Sequence, residues 1–389
     1  MTRTGKPLKV AMMMTDLEDL GVQRVVINLY NGLDRTRFSP NLVLWTREGK
    51  VASFLRAQET VYETNHGLWR PRFLFRLFRY LRILRELKPD IVLSFVPGTN
   101  VSMALIRLFL PRKTGFVACE HAFISRAFEA NEYRGSFKVL YLALLPFMYN
   151  RIFDRLIMTA RAGEDDAVSN WGIDQRRIRV IYNPQDLREL RQRAEEPLED
   201  PWFADTATPI VVAAGRLTKQ KGFDSLLRAF STLVSVTPAR LAILGRGELE
   251  PSLRKLALEL GIAEHVRFLG FQVNHLKYIK NSSVFVLSSL WEAMPMVVAE
   301  TMAIGTPIVA FDCPSGPREM LDEGRCGYLV PDQDIDALAK AIAHALMHRL
   351  EAVAMSDRAR TKVERYDIHT ITGEYQILLQ QVVMEKASA

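Results

Sequence analysis

The sequence predicts an α/β chain built as two Rossmann-like halves, each a parallel sheet covered by helices. Three observations carry this. Apolar runs of strand length alternate with amphipathic stretches of helix length along nearly the whole chain. The alternation breaks once, near residues 185–208, and then restarts. The 389 residues are 48% hydrophobic and 24% charged, which is ordinary for a globular chain and supplies apolar material for two cores.

In the first half, strands are expected at Leu8–Met14, Asn41–Leu44, Ile91–Phe95, Gly115–Cys119 and Arg155–Thr159. Helices are expected at Val22–Leu33, Phe73–Leu87, Val101–Leu110 and Phe137–Asn150. The break contains QDLRELRQRAEEPLEDPWFADTATP, which is charged, poor in strand formers and marked by Pro197, Pro201 and Pro209; it reads as a linker over 186–208. In the second half, strands are expected at Ile210–Ala214, Ala239–Leu244, Val266–Leu269, Val284–Leu287 and Pro307–Ala310. Helices there are expected at Phe223–Val234, Glu248–Leu260, Val297–Met302 and Ile335–Met347. The domains are therefore read as 1–185 and 209–365. The amphipathic segment 366–389 is a C-terminal helix that would pack back on the first. Open parallel sheets bind ligands beyond the carboxyl ends of their strands, so the crevice between the halves is the expected site.

Charge is uneven. Residues 1–150 hold 22 Lys+Arg against 12 Asp+Glu, whereas residues 201–389 hold 20 against 21. The basic half should face something anionic. The three cysteines, Cys119, Cys313 and Cys326, lack metal-ligand spacing and cannot all pair, which suits a reducing compartment. The N-terminus reads as a buried first strand, because Asp16, Glu18 and Asp19 follow its apolar run and no small-residue cleavage site does. The longest apolar run, near Val139–Met148, is about half of the ~20 residues a membrane-spanning helix needs. A soluble or peripheral protein is expected.

Three clusters could carry chemistry. In VVAAGRLTKQKGFDSLLRAF (211–230), a strand ends at Gly215, followed by Arg216, Lys221, Gly222 and a helix. Glycine lets the backbone approach a ligand, a helix N-terminus supplies unpaired amides, and two cations beside it make a diphosphate cradle. A strand-to-helix turn with solvated cations is the alternative. In SSLWEAMPMVVAETMAIGTPIVAF (288–311), Glu292 precedes a helix begun near Pro295 and Glu300 lies within it. Carboxylates accept from paired hydroxyls such as those of a sugar or ribose; two ordinary helix and surface residues are the alternative. In DCPSGPREML (312–321), Ser315-Gly316-Pro317 is a turn rich in backbone donors. Asp332, Asp334 and Asp336 fall just before ALAKAIAHAL and read as a helix cap, so no metal site is expected.

Together, G-R-L-x3-K-G, LGRGELEPSLRKLALELGIAEHVRFLGF, E-x7-E, GTPIVAFDCPSGPREML and GYLVP closely resemble the retaining, metal-independent family-4 (group 1) glycosyltransferases of the GT-B fold. The resemblance is dense from Ile210 to Leu346. It is thinner earlier, where LEDLGVQRVVINLYNGL resembles the family's first glycine loop, with Gly21-Val22-Gln23-Arg24 in place of a more glycine-rich run, and IRVIYNPQD its first domain end. The resemblance implies two Rossmann-like domains facing across a cleft and a nucleotide-sugar donor, here a UDP-sugar, with no other cofactor. It implies that Arg216 and Lys221 hold the diphosphate, Glu292 faces the donor sugar and Glu300 holds the ribose. Backbone amides near Met294–Met296, around Pro295, would approach the sugar or phosphate, beside Gly215, and Gly21 would lie under the diphosphate. His121, in FVACEHAFIS just past a predicted strand end, stands where relatives keep a polar group near the reacting sugar; a packed or surface histidine is the alternative.

Residues 68–88, LWRPRFLFRLFRYLRILRELK, repeat arginine at 70, 72, 76, 79, 82 and 85 among leucine and phenylalanine. Such a helix can lie on an anionic membrane surface, with Leu105–Lys113 and Phe137–Tyr149 adding to it; a Rossmann helix with a solvated basic face is the alternative. No motif supports nucleic acid. The expected function is transfer to a glycolipid or lipid-linked oligosaccharide acceptor, in the cytoplasm and peripheral on the inner face of the cytoplasmic membrane. A UDP-sugar 2-epimerase-like enzyme and a non-catalytic nucleotide-sugar-binding protein are the rivals.

Overall fold

The computed structural model describes all residues except 1–4, 19–20, 47, 50–53, 56–60, 65–72, 122, 130–135, 206 and 389, and omits the side chains of 127–129 and 136–140. The chain forms two units, residues 1–184 with 368–389, and residues 185–367.

The first unit runs β1 (Leu8–Met14), α1 (Gly21–Gly32), β2 (Phe38–Leu44), β3 (Val61–Glu63), α2 (Phe73–Leu87) and β4 (Ile91–Ser94). It continues through α3 (Pro97–Ile106), β5 (Gly115–Glu120), α4 (Ile124–Glu129), α5 (Ser136–Phe147), β6 (Arg155–Met158), α6 (Arg161–Ser169) and β7 (Ile178–Val180). Its parallel sheet has the order β3-β2-β1-β4-β5-β6-β7. Strand β2 begins three residues before the expected Asn41, because Pro40 is tolerated. Strand β3 pairs only with Leu42–Leu44, so at Pro40 one side of β2 carries no ladder to break. Strands β3 and β7 are three-residue edge strands, too short to give a periodic signal.

One face of this sheet packs α2, α3, α5 and α6 through Tyr80, Leu84, Val101, Tyr141, Leu145 and Ala167. The other receives α1 and the terminal helix α16 (Ile368–Ser388). Tyr375 on α16 meets Cys119 of β5, and Arg155 pairs with Glu385 at 2.5 Å. All three cysteines are free and buried.

The second unit opens with α7 (Leu187–Ala194) and α8 (Pro201–Ala204). The stretch 186–208, expected as a linker, thus carries two helices. Asp186 caps α7 by accepting from the Glu189 amide at 3.0 Å, and Leu187, Leu190 and Ala194 form a buried stripe at helical spacing. The charge of the segment lies on the opposite face. There follow β8 (Ile210–Ala214), α9 (Phe223–Val234), β9 (Arg240–Leu244), α10 (Glu250–Glu259), β10 (Val266–Gly270) and α11 (Leu276–Lys280). Then come β11 (Val284–Leu287), α12 (Met296–Ile304), β12 (Ile308–Phe311), α13 (Pro317–Met320), β13 (Tyr328–Val330), α14 (Ile335–Met347) and α15 (Arg349–Lys362).

The second sheet is parallel throughout, in the order β10-β9-β8-β11-β12-β13. Helix α9 buries Phe223, Leu226, Leu227, Phe230 and Leu233 along one face against this sheet and α14. Each such side chain contributes roughly 1.5–3 kcal/mol of burial free energy. Asp334 caps α14, accepting from the Ala337 amide at 2.9 Å. The chain winds outward from β8 through β9 to β10, then crosses back to β11. Strand order thus reverses between β8 and β11, the position where doubly wound sheets open a ligand crevice beyond their carboxyl ends.

Candidate functional site

The loops after β8 and β11 meet at that reversal. Gly222 takes a left-handed backbone (φ 57°) and packs so tightly that a Cβ would overlap the Ser288 carbonyl oxygen. Ser288 Oγ donates to the Lys221 carbonyl at 2.9 Å, the Leu290 amide to the Gln220 carbonyl at 2.8 Å, and Gln220 Nε2 to the Trp291 carbonyl at 3.1 Å. These bonds bring Lys221 Nζ to 2.5 Å from Glu292 Oε1, which also accepts from Ser289 Oγ at 2.7 Å. The Lys221 stem lies across Gly215, where any side chain would crowd it.

Glu292 is 6% exposed, and an unpaired carboxylate at that depth costs several kcal/mol. The lysine and serine therefore define its position. Arg216 is exposed, and its side chain has no hydrogen bond or ion pair among the described residues. Gly222 is the N-cap of α9 and no side chain caps that helix, so its first amides point out of its end beside Lys221, with Arg216 earlier in the same loop.

The loop after β12 joins the same rim. Ser315 (φ 75°) donates from Oγ to the Ala293 carbonyl at 3.3 Å, and Gly316 sits where a Cβ would overlap that carbonyl oxygen. Met294 is buried, Pro295 is the N-cap of α12, and Met296 opens that helix with its Sδ 3.0 Å from Gln185 Nε2. Glu300, in the second turn of α12, is 4% exposed, with Oε2 2.7 Å from His275 Nε2. Gly215, Lys221, Glu292 and the Met294–Met296 turn are thus brought to one rim, with Arg216 at its edge. Burial removes the reading of Glu292 as a surface residue. Burial, reinforced by the nearby Glu292, pushes the Cys313 thiol up, which leaves that thiol unreactive.

His121 and Gly21 belong to the first unit. Gly21 is exposed at the start of α1. The His121 ring stacks on Phe95, just past β4, with centroids 6.1 Å apart. Both ring nitrogens are buried without a hydrogen-bond partner among the described residues. Burial lowers the pKa of His121 to about 4; Asn183, near the ring but outside full hydrogen-bond geometry, opposes the shift. The ring is therefore a neutral imidazole at ordinary pH.

Beneath it is a network the sequence did not reveal. Glu120 is fully buried, and its Oε1 accepts from Asn100 Nδ2 at 2.9 Å, from the Tyr141 hydroxyl at 2.8 Å and from the Tyr149 hydroxyl. Desolvation raises the pKa of Glu120, against the lowering effect of these donors. A carboxyl raised in the folded state stabilises the fold fully below its unfolded pKa, and loses that contribution as pH rises through the raised value. Glu120→Gln keeps the Oε1 acceptor and cannot ionise. It should match the wild type at low pH and melt higher near pH 8, by on the order of 2–4 °C, the shift ~1 kcal/mol makes in a domain of this size. Parallel melting curves from pH 5 to 8 check this; an unchanged difference across that range would contradict it.

The solved structure of Anabaena Alr3699/HepE in complex with UDP superimposes with a TM-score of 0.78 at 18% identity, covering 96% of this chain and 100% of that one. A second neighbour, WaaG, a glycosyltransferase involved in lipopolysaccharide biosynthesis, gives a TM-score of 0.74 at 14% identity over 95% of this chain and 99% of that one. The fold is the GT-B fold.

Residues 21–189 match the family model Glycosyltransferase Family 4, and residues 195–362 match Glycosyl transferases group 1. The lipopolysaccharide core biosynthesis glycosyltransferase LpsE of Rhizobium meliloti is 31% identical over 365 residues, 92% of each chain. An uncharacterized glycosyltransferase of Methanocaldococcus jannaschii is 33% identical over 265 residues, 66% of this chain and 64% of that protein. The chain belongs to the group 1 (family 4) glycosyltransferases, and it is a transferase enzyme.

Sequence reasoning missed Ser289, His275 and the Glu120 network. Ser289 stands inside the quoted SSLWE run, where the Glu292 spacing hinted at it; His275 is a lone histidine in a polar turn and carries no such signal.

Proposed function

We propose that this enzyme moves a hexose from a UDP-sugar to a glycolipid or polysaccharide-precursor acceptor at a membrane surface, with retention at the anomeric carbon. The observation that carries the reading is the meeting of Lys221, Arg216 and the uncapped start of α9 at the strand-order reversal, beside the buried Glu292. Two cations and a helix amino end suit a departing nucleoside diphosphate, on which negative charge builds as the glycosidic bond breaks. In the retaining step, the bond from the anomeric carbon to the β-phosphate oxygen breaks, and UDP leaves with the electron pair. The acceptor oxygen bonds to the same face of that carbon, and its proton passes to the departing phosphate oxygen. Glu292 would accept from donor-sugar hydroxyls, Glu300 from the ribose, and the Met294–Met296 amides would approach sugar or phosphate. Gly21 would lie under the diphosphate, and His121, a neutral imidazole, would hydrogen-bond the reacting sugar.

The relatives support the donor and the acceptor class. HepE was solved with UDP, and LpsE is described as acting in lipopolysaccharide core biosynthesis. A third relative, 28% identical over 293 residues (75% of this chain and 77% of that protein), is a Campylobacter jejuni enzyme that adds N-acetylgalactosamine to a diphospho-undecaprenol-linked sugar. The test is to incubate the purified enzyme with radiolabelled UDP-sugars and bacterial lipid extract. Label should move into the lipid fraction only when both substrates are present. Isomerised donor without acceptor would favour an epimerase, and UDP binding with no transfer would favour a binding protein.

The membrane partner rests on the first unit. Helix α2 exposes Leu74 (75%) and Phe78 (64%), and the turn after the adjacent α3 exposes Leu108 (78%) and Phe109 (60%). Arg79 and Arg85 lie on α2, and Arg112 and Lys113 follow the second group. Apolar side chains fringed by cations suit an anionic bilayer surface. Two arginines of this surface, one on α2 and one after α3, are committed elsewhere. Arg82 pairs with Glu86 at 3.0 Å, and Arg107 donates to the Thr114 carbonyl at 2.6 Å and covers Phe116. Residues 68–72, with Arg70 and Arg72, lie outside the described residues. No helix among the described residues is long and apolar enough to cross a membrane. Vesicles containing anionic lipid should sediment the enzyme at low salt and less of it at high salt, and Leu74→Glu with Phe78→Glu should abolish this. Equal sedimentation with neutral vesicles would contradict the surface.

A further inference from the structure

We propose that His275 is the positioning residue that fixes the Glu300 carboxylate for a pair of ribose hydroxyls, and so sets the preference for a ribonucleotide over a 2′-deoxyribonucleotide. This rests on the reading of Glu300 as the ribose acceptor.

The argument starts from the freedom of a carboxylate. The last torsion of a glutamate is broad and nearly two-fold, so anchoring the backbone in a helix leaves the plane of the oxygens undetermined. Two neighbouring hydroxyls can both be accepted well only if that plane is held. In this chain a second element holds it. Glu300 is on α12, after β11, whereas His275 precedes α11, after β10. The 2.7 Å contact between Nε2 and Oε2 joins the two, with the Glu300 side chain 5% and the His275 side chain 19% exposed.

His275 is itself anchored from several sides. Its carbonyl accepts from the Tyr278 amide at 3.1 Å and the Ile279 amide at 3.2 Å, while Leu276 and Ile279 are fully buried. Its neighbour Asn274 donates from Nδ2 to the Arg193 carbonyl at 2.7 Å and accepts from the Leu276 amide at 3.2 Å. The backbone that carries the imidazole is therefore held by an independent structural element. Donation to Oε2 uses one acceptor position of a group that offers about four. A hydrogen bond to a charged carboxylate is also strong enough to define an orientation.

The test compares the dissociation constants of UDP and 2′-deoxy-UDP for the wild type, His275→Ala, His275→Gln and Glu300→Ala. A hydroxyl bonded to a charged acceptor is worth about tenfold or more, so the wild type should prefer UDP by at least about that factor. Glu300→Ala should abolish the preference. His275→Ala should remove most of it by weakening UDP more than 2′-deoxy-UDP, and His275→Gln, whose amide can donate to the same oxygen, should restore it. If His275→Ala melts below the assay temperature, His275→Phe fills the volume without a donor and should give the same loss.

If Glu300→Ala loses the preference and both His275→Ala and His275→Phe keep it, the positioning role is overturned and the Glu300 reading stands. If Glu300→Ala keeps the preference, the Glu300 reading fails and takes the proposal with it. Loss in His275→Ala without recovery in His275→Gln would also overturn the proposal, since packing rather than donation would then be responsible.

Discussion

Lys221→Ala should lower turnover about a hundredfold, the usual effect of removing one preorganised donor that faces developing charge. That corresponds to about 2.7 kcal/mol in the barrier. The ammonium has two tasks here, and the variant removes both. It sits beside the α9 amino end, where charge on the leaving diphosphate would collect. It also lies 2.5 Å from Glu292, which is otherwise held only by Ser289 among the bonds described. Truncation therefore leaves a nearly buried carboxylate without its cation, which destabilises the second unit as well. The two effects separate in a double variant. Lys221→Ala with Glu292→Gln should regain much of the lost melting temperature, because no charge is stranded, and none of the lost turnover. Single-turnover transfer rates paired with melting curves check this. Turnover recovering in step with stability would mean that Lys221 acts only as the counter-ion of Glu292.

Gly222→Ala should strongly destabilise the second unit and its candidate site. The residue has φ 57°, a conformation that costs alanine about 1 kcal/mol or more, and the added Cβ would fall on the Ser288 carbonyl oxygen. That oxygen belongs to the loop carrying Ser289 and Glu292, so relief requires the loops after β8 and β11 to part. A loss of roughly 2–4 kcal/mol is expected, together with much weaker UDP binding. Gly373→Ala is the control: it lies on α16, and a Cβ there meets nothing within 4 Å. It should be neutral or slightly stabilising, since alanine is the better helix former. Melting temperatures and UDP titrations of both variants test the claim, and a Gly222→Ala protein with wild-type melting and binding would contradict it.

Much of the fold could be read from the chain because buried parallel strands are unbroken apolar runs, and the helices between them carry one apolar stripe. Leu8–Met14 and Phe223–Val234 have the extents expected from that pattern. The failures have local physical causes. Val61–Glu63, Ile178–Val180 and Tyr328–Val330 are edge strands too short to show a period. The stretch 187–194 is so heavily charged that the three residues it buries, Leu187, Leu190 and Ala194, were outweighed in composition. The candidate site was legible where its residues fall inside short motifs, as for Gly215, Lys221, Gly222 and Glu292. Contacts made where folding brings distant residues together were not legible. His275 reaches Glu300 across 25 positions, and Tyr149 reaches Glu120 across 29, and in neither case does the local sequence mark the partner.

The central claim is that the diphosphate of the donor rests on Lys221, Arg216 and the start of α9. A crystal structure of the enzyme with UDP tests it most directly. The account predicts β-phosphate density within about 3.2 Å of Lys221 Nζ, with the Arg216 guanidinium turned toward it and the Phe223 or Asp224 amide donating. Density for the diphosphate at another place, with Lys221 engaged only by Glu292 and Arg216 still in solvent, would contradict it.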